Sequence, residues 1–424
     1  MNGTIKLVAP LVAALTIAAC NAGGSSNMPT TGTGPSVGSA STHMPQWEAQ
    51  HLARADCPQV VGRPTCMALR VLSHGVPAAC SPSSTCGYTP AELQAAYKLT
   101  NDLGHGSGVK VAVIEAGDLA NAASDLSTYR NQYGLGTASF FKYNENGQQS
   151  NYPPSCEDYG WCGETALDID MVSAACPKCT IYLMEAKDGS SISDFEQAEK
   201  EAVTLGATIV SNSWSCPKNW DCGDSNFGSN FDTPGIAYLA STGDDAYNTI
   251  GGPSALGSVV GVGGTQLEKS GSTYKEVIWT DASAGCASPT VVGSPGVPKP
   301  SWQHDSGCTY RTDGDISSES GCSPGVAVYV DVYGGWAGYC GTSVASPFTA
   351  GVIGLKGNPA VFGANGGKTF WGLSKKKLRR GLHKITMGND GSCGGSYLCT
   401  AGTNQFGQYS GPGGWGTPKT DKDY

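Results

Sequence analysis

The sequence predicts an α/β domain in which helices cover both faces of a mostly parallel sheet. Short runs rich in Val and Ile do not alternate polar and apolar residues, which indicates strands buried on both faces. Helical stretches separate these runs, as in a sheet whose parallel strands are joined by crossover helices. The predicted strands span residues 109–114, 180–184, 208–212, 236–241, 259–262 and 326–330, and the predicted helices span residues 90–97, 163–175, 193–205 and 343–355.

Composition limits the classes of protein that remain. The chain has 424 residues, a formal net charge of −9, only 14% charged residues and 60 Gly. These values argue against a coiled coil, a disordered polyelectrolyte and a basic nucleic-acid binder, so no nucleic acid partner is expected. The one dense basic run, residues 375–380, lacks interleaved aromatic residues and predicts a solvated helix face.

The N-terminus has the features of an export signal. Lys6 precedes an uncharged stretch, residues 7–19, that is too short to span a membrane permanently. The stretch ends in Ile-Ala-Ala-Cys20, which resembles the lipobox of bacterial lipoproteins, where the cysteine is acylated. Residues 20–45 would then be a flexible tether. We therefore expect an extracytoplasmic protein anchored to a bacterial cell envelope by Cys20, or a secreted one if Cys20 is not acylated.

The cysteine count fits an oxidising compartment. Of 17 cysteines, 16 remain without Cys20, an even number that allows all of them to pair. Five pairs are close enough in sequence to form local disulfides: Cys57/Cys66, Cys80/Cys86, Cys156/Cys162, Cys216/Cys222 and Cys393/Cys399. Zinc binding at Cys176 and Cys179 is poorly supported, because no second ligand pair accompanies them. Residues 46–88 are expected to be a small stapled segment or short prosegment, and residues 89–424 the main domain.

The string GTSVASP (341–347) is the strongest local sign of chemistry. Ser343 follows a glycine at the start of a predicted helix, where unpaired backbone N–H groups suit a nucleophile whose attack creates an oxyanion. The alternative is a helix-capping serine that precedes a close-packed helix.

A serine nucleophile needs a base, and the six histidines do not supply one. None lies at a helix start between the first strand and the serine, where subtilisin-type proteases carry their histidine, and His105 precedes the first strand. At the corresponding position, between the first strand and Ser343, this sequence has GETALDID (163–170). Four helical residues turn about 400°, so Glu164 and Asp168 share a face, whereas Asp170 points elsewhere. The alternative for this pair is a solvated acidic helix start.

Five motifs together carry a resemblance to a known family. They are GETALD (163–168), SNSW (211–214), STGDD (241–245), GVGGT (261–265) and GTSVASP (341–347), in this order. The set resembles the sedolisin, or serine-carboxyl peptidase, family over about residues 88–418. That family shares the subtilisin-like fold and replaces the histidine base with a glutamate.

The resemblance implies a role for each matching residue. Ser343 would be the nucleophile, Glu164 the base, and Asp168 the carboxyl group that holds Glu164. Asp244 matches the oxyanion-hole aspartate, with Asp245 as a competing candidate. The strand edge that pairs with substrate backbone would be Ser211, Asn212, Ser213 and Trp214. Glu115 ends the first strand as an acid near the site, without an assigned catalytic role.

Two features depart from the family pattern. Only about seventy residues separate Cys20 from the first helix of the main domain, whereas the family has a long folded prosegment, so self-processing is not expected. At the family's calcium site, Lys384 replaces the leading aspartate and Ser410 lies near the second. No cofactor is therefore predicted, although Asp390 could support a shifted site. We hypothesise that the Lys384 ammonium stands in for the ion; the alternative is that Lys384 is simply exposed.

These observations predict a lipid-anchored serine-type endopeptidase, a monomer that hydrolyses polypeptides with an acidic optimum. The acidic optimum follows because Asp244 can donate to an oxyanion only when it is protonated. One alternative is a catalytically silent surface lipoprotein of the same fold. A carbohydrate-active enzyme using Glu164 and Asp168 is disfavoured, because groups one helical turn apart cannot flank a sugar from opposite faces.

Overall fold

The structure is a computed structural model, and it describes residue 1 and residues 44–419 apart from short gaps. The gaps are residues 74–75, 78–79, 82–85, 100–102, 217–220, 225, 358–365 and 403–408. The expected signal peptide, the tether up to residue 43 and Cys20 lie outside the described residues. Residues 43–424 form one compact unit that includes the cysteine-rich residues 46–88. In the part of the chain that the structure describes, no helix has the length and apolar character needed to cross a membrane.

The helices and strands are numbered in chain order. The helices are α1 Gln46–Ala49, α2 Pro90–Ala96, α3 Ala122–Tyr133, α4 Cys162–Ala175, α5 Ile192–Thr204, α6 Pro289–Val292, α7 Thr342–Lys356, α8 Lys368–Gly372 and α9 Lys375–Gly381. The strands are β1 Ala53–Ala55, β2 Thr65–Cys66, β3 Leu69–Ser73, β4 Val76–Pro77, β5 Lys110–Ala116, β6 Ser139–Asn144, β7 Thr180–Ala186, β8 Ile209–Asn212, β9 Trp214–Ser215, β10 Ala237–Ser241, β11 Val259–Ser270, β12 Thr273–Ile278, β13 Gly285–Cys286, β14 Thr312–Asp313, β15 Ile316–Glu319, β16 Val326–Val330, β17 Gly335–Cys340, β18 Leu382–His383 and β19 Thr417–Pro418.

The larger sheet confirms the predicted parallel architecture. Its strand order is β12-β11-β10-β8-β5-β7-β6, and β15 also pairs with β11. Only β12 is antiparallel to its neighbour, the second half of β11. The apolar side chains of β5 are fully buried, as expected for a strand covered on both faces. Because the strands are parallel, the carboxyl ends of β5, β8 and β10 meet at one edge.

The strand predicted at residues 326–330 belongs to a second sheet and not to the parallel one. It is β16, which pairs antiparallel with β17 in a second sheet of order β1-β3-β17-β16. Only a single 3₁₀ turn, Asp331–Tyr333, separates the two strands, and such a short connection can join only antiparallel neighbours. The expectation that residues 326–330 form part of the parallel sheet is therefore wrong.

Helix α4 lies at the centre of the molecule. All of its residues are buried, because it contacts α7 on one side and β16 on another. Its three carboxyl groups, Glu164, Asp168 and Asp170, are thus carried into the core. Asp170 points away from the other two, and its Oδ2 accepts a hydrogen bond from the Tyr329 backbone N–H at 3.2 Å. The expectation that Asp170 faces a different direction from Glu164 and Asp168 is confirmed.

All sixteen cysteines after Cys20 are paired. The five local pairs expected from the sequence are disulfides. Cys176 also pairs with Cys179, which leaves no free thiolate there for zinc, and the remaining disulfides are Cys286–Cys308 and Cys322–Cys340. The basic run forms α9, whose lysines and arginines are exposed, as predicted.

Candidate active site

The predicted site residues meet where the parallel strands end. Glu115 lies near the end of β5, Ser211 and Asn212 end β8, and Asp244 follows β10. Helix α7 begins at the same edge and presents Ser343 as its second residue, in a turn whose backbone N–H groups lack partners within the helix.

Ser343 and Glu164 form the central contact. The Ser343 Oγ donates to Glu164 Oε2 at 2.8 Å, and both residues are fully buried. The backbone turn before α7 makes this approach possible: Gly341 has φ 105°, where other residues are strained. A Cβ at Gly341 would also lie 2.3 Å from the Met67 carbonyl oxygen and 2.5 Å from Asp244 Oδ2, so only glycine fits there.

Three carboxyl groups share the buried space beside Ser343. Burial and the neighbouring Asp168 raise the pKa of Glu164, while the Ser343 hydroxyl lowers it. Burial also raises the pKa of Asp168 and that of Glu115, and Asp168 and Glu164 add to the rise at Glu115. Such a group cannot hold three negative charges, so protons are shared within it at neutral pH and below. The alternative of a solvated acidic helix start for Glu164 and Asp168 is therefore wrong.

Ser213 holds the carboxylate of Asp168. Its Oγ lies 2.8 Å from Oδ1 and 3.0 Å from Oδ2 of that residue. The family resemblance implied a role for Ser213 only at the substrate edge, so this contact with Asp168 was missed. Strand alternation could have indicated this contact, because the side chains of Ser213 and of its neighbours Asn212 and Trp214 point to opposite faces.

Asp244, rather than Asp245, contacts Thr342, the residue before Ser343. Its Oδ1 accepts from the backbone N–H and the Oγ1 of Thr342, both at 2.8 Å. Its Oδ2 has no hydrogen-bond partner among the described residues, and burial raises its pKa well above the usual range. A protonated Oδ2 could therefore donate to an oxyanion. Asp245 is only partly buried, and its backbone N–H bonds to Ser283.

The proposed substrate edge is present, and the chain itself occupies it. Strand β9 pairs antiparallel with β2, with Cys66 opposite Trp214. The Ser211 side chain bonds to Ser346 and that of Asn212 approaches Leu239, so these two side chains support the edge from inside. Trp214 is likewise buried, and its ring packs against Phe195 at 5.0 Å between centroids. Only the backbone of this edge is placed to pair with an extended peptide.

Neither Lys384 nor Ser410 supplies a carboxylate at the family's calcium position. Lys384 is exposed, and no hydrogen bond or ion pair joins its ammonium to another described residue. The hypothesis that this ammonium replaces the ion is therefore not supported, and the exposed alternative describes it. Asp390 is fully buried, burial raises its pKa, and neither of its oxygens has a described partner. Across the described residues no group of three or more His, Cys, Asp or Glu is placed to hold a metal, whereas calcium needs six to eight oxygen ligands.

The arrangement of helices on both faces of a mostly parallel sheet is that of the subtilisin-like α/β fold. Among solved structures, Pseudomonas sedolisin, a serine-carboxyl proteinase complexed with two molecules of pseudo-iodotyrostatin, matches 80% of this chain and 96% of its own, at 22% identity and a TM-score of 0.65. A lanthipeptide protease matches 78% of this chain and 92% of its own, at 16% identity and a TM-score of 0.47. No family profile and no curated protein matches the sequence. The fold is therefore that of sedolisin, as expected.

Proposed function

We propose that this protein is a serine-carboxyl endopeptidase that hydrolyses polypeptides under acidic conditions. Ser343 acts as nucleophile, Glu164 as base and Asp244 as oxyanion donor, and Asp168 positions Glu164. The observation that carries the proposal is the 2.8 Å hydrogen bond from Ser343 to Glu164 within a buried carboxyl cluster. A carboxylate is a weaker base than imidazole, so it must lie this close to the hydroxyl to remove its proton.

The burial of the cluster also argues against a silent relative of the same fold. Buried carboxyl groups with raised pKa values destabilise the folded chain at neutral pH, and a purely structural protein gains nothing from keeping them. A carbohydrate-active enzyme is disfavoured further, because Glu164 and Asp168 lie side by side and do not face each other across a cleft.

The test is hydrolysis of an unfolded protein across pH by the parent chain and by two variants. Ser343→Ala and Glu164→Gln should each lower turnover by about 10⁴-fold, because the two groups act as one unit. Thr349→Ala is the matched control, since it removes a buried hydroxyl from the same helix and contacts only Ser318 in this network. Turnover of either site variant at the parent rate would exclude the mechanism.

We also propose that the chain is held outside the cytoplasm by a lipid on Cys20. The lipobox-like string at residues 17–20 and the Gly/Ser/Thr/Pro-rich stretch after it support this. In a Ser343→Ala background, which prevents the chain from cutting itself, Cys20→Ser should move the protein from the membrane fraction to the soluble fraction of a bacterial host. Equal membrane retention of both forms would contradict lipid anchoring.

A further inference from the structure

A short stretch of the N-terminal segment lies in the proposed substrate position. In β2 and β9, Thr65 pairs with Ser215 and Cys66 with Trp214, antiparallel. The Met67 backbone N–H extends this ladder by donating to the Ser213 carbonyl at 3.0 Å. Addition of an extended peptide to an exposed strand edge is a common mode of peptide recognition. Here the added strand is part of the same chain.

The carbonyl of Met67 faces the proposed oxyanion donor. The Cβ position of Gly341 lies 2.3 Å from the Met67 oxygen and 2.5 Å from Asp244 Oδ2, so both oxygens border one small space. Asp244 Oδ1 is held by Thr342, whereas Oδ2 has no partner among the described residues. A proton on Asp244 Oδ2 would therefore lie in the same small space as the Met67 carbonyl oxygen.

The nitrogen of the same peptide bond, that of Ala68, lies near the proposed base Glu164. The Ala68 backbone N–H is close enough to the Glu164 carboxylate to lower its pKa. Glu164 meanwhile accepts from Ser343 through Oε2. A proton taken from Ser343 therefore has the Ala68 nitrogen as a nearby destination. The two sides of one peptide bond thus lie beside the groups that would act on them.

We propose that the Met67–Ala68 peptide bond is the protein's own cleavage site, an inference that rests on the proposed function. Ser343 Oγ attacks the Met67 carbonyl carbon, and its proton passes through Glu164 to the Ala68 nitrogen as the C–N bond breaks. Water then hydrolyses the resulting ester, which gives a Met67 carboxyl group and restores the Ser343 hydroxyl. The short segment thus self-processes, against the expectation from its length.

Cleavage would release the residues before Ala68 and leave the residues from Ala68 onward in the folded domain. None of the eight disulfides joins residues before Ala68 to residues after it, because Cys57–Cys66 lies wholly before the bond. After cleavage, β3 remains paired with β17 through Leu69 and Arg70. The departing side is held by noncovalent contacts only, so it can leave and expose the strand edge to other substrates.

The contacts that hold the departing side run along its length. They include the pairing of β1 with β3, the pairing of β2 with β9 and the hydrogen bond from the Tyr339 hydroxyl to Asp56. The backbone N–H groups of Gln46 and Trp47 donate to Asp281, and the Trp47 indole donates to the Asp244 carbonyl at 2.9 Å. A cavity of about 220 Å³ lies between residues 58–64 and the body near Trp161 and Gly189, so this part of the segment is not closely packed.

The experiment incubates the purified chain at acidic pH and follows intact mass and the new N-terminus. The parent should yield a chain that begins at Ala68, at a rate independent of protein concentration. The Met67–Ala68 bond of Ser343→Ala should remain uncleaved. Ala68→Pro removes the N–H that faces Glu164 yet keeps the Ala68 carbonyl that accepts from Asp56, so it should also stay joined. Ala68→Gly, the matched control, should be cleaved like the parent.

A second readout separates this inference from the proposed function. Trp47→Ala removes the indole contact with Asp244, one of the contacts that hold residues 46–67, and should let an added unfolded protein reach the strand edge more readily without any cleavage. Suppose that Trp47→Ala hydrolyses that substrate in a way that depends on Ser343, while the Met67–Ala68 bond of the parent remains uncleaved. The self-cleavage proposal is then wrong and the proposed peptidase function is supported. A cleavage rate that rises with protein concentration overturns the intramolecular step. If neither chain hydrolyses anything, both proposals fail.

Discussion

The Asp56 carboxyl group should make the stability of the folded chain depend on pH. The Tyr339 hydroxyl donates to its Oδ2 at 2.9 Å, beside the backbone of Gly163 at the start of α4. Burial raises the pKa of Asp56 from 3.8 to about 6, despite the nearby Arg70 and Arg54. Because the folded chain holds this proton more tightly than the unfolded chain, the stabilisation is present below about pH 4 and is lost as the pH rises through about 6.

Asp56→Asn keeps the shape of the side chain and the acceptor for Tyr339 but cannot ionise. A shift of about two pKa units corresponds to about 3 kcal/mol. Asp56 keeps partial exposure, so solvent screening should reduce this to about 1.5 kcal/mol. Relative to the parent, the variant should therefore gain about 1.5 kcal/mol more unfolding free energy at about pH 8 than at about pH 4.

The assay is denaturant unfolding at both pH values with Ser343→Ala as the common background, so that the chain stays intact. Asp232→Asn is the control, because it removes a carboxylate that is exposed to solvent. The control should show no such pH-dependent difference. An Asp56→Asn effect that is equal at both pH values, or larger in acid, would refute the reasoning.

Three further predictions follow from the site. Ser213→Ala, which removes the hydroxyl that holds Asp168, should lower the turnover of peptide substrate by about 10- to 100-fold with little change in melting temperature; an unchanged rate would contradict this positioning role. The parent should melt at a lower temperature as the pH rises from about 4 to about 8, because Glu115, Glu164 and Asp244 have raised pKa values in the folded chain, so the unfolded chain releases these protons more readily; a melting temperature that increases over this range would count against the buried cluster. Dialysis against a chelator should leave melting unchanged and metal analysis should find no stoichiometric calcium, since Lys384 brings a positive charge to the family's calcium position; a large drop in melting temperature would show a site that the residues do not suggest.

Local signals predicted much of the fold and the position of the site. Strand runs such as residues 180–184 and the capping box at Thr89 and Glu92 depend only on neighbouring residues, and both are present in the structure. Ser343, Glu164 and Asp244 lie at helix starts and strand ends. Because parallel strands end at one edge, their proximity followed from the fold class.

The contacts that were missed join distant parts of the chain. The pairing of Cys66 with Trp214 and of Leu69 with Cys340 brings together residues far apart in sequence. No periodicity within a strand of two to six residues specifies such a partner, because pairing of short strands depends on tertiary packing. For this reason the sequence predicted a stapled N-terminal segment but not its place across the active site.

The account depends most directly on the pair formed by Ser343 and Glu164. The decisive measurement is the rate of hydrolysis of an unfolded protein at acidic pH by the parent, Ser343→Ala, Glu164→Gln and the double variant, each checked for folding by its melting curve. The account predicts that each single variant loses nearly as much activity as the double variant, about 10⁴-fold, and that the parent is most active below neutral pH. Folded single variants that keep the parent rate, or losses that simply multiply in the double variant, would contradict it.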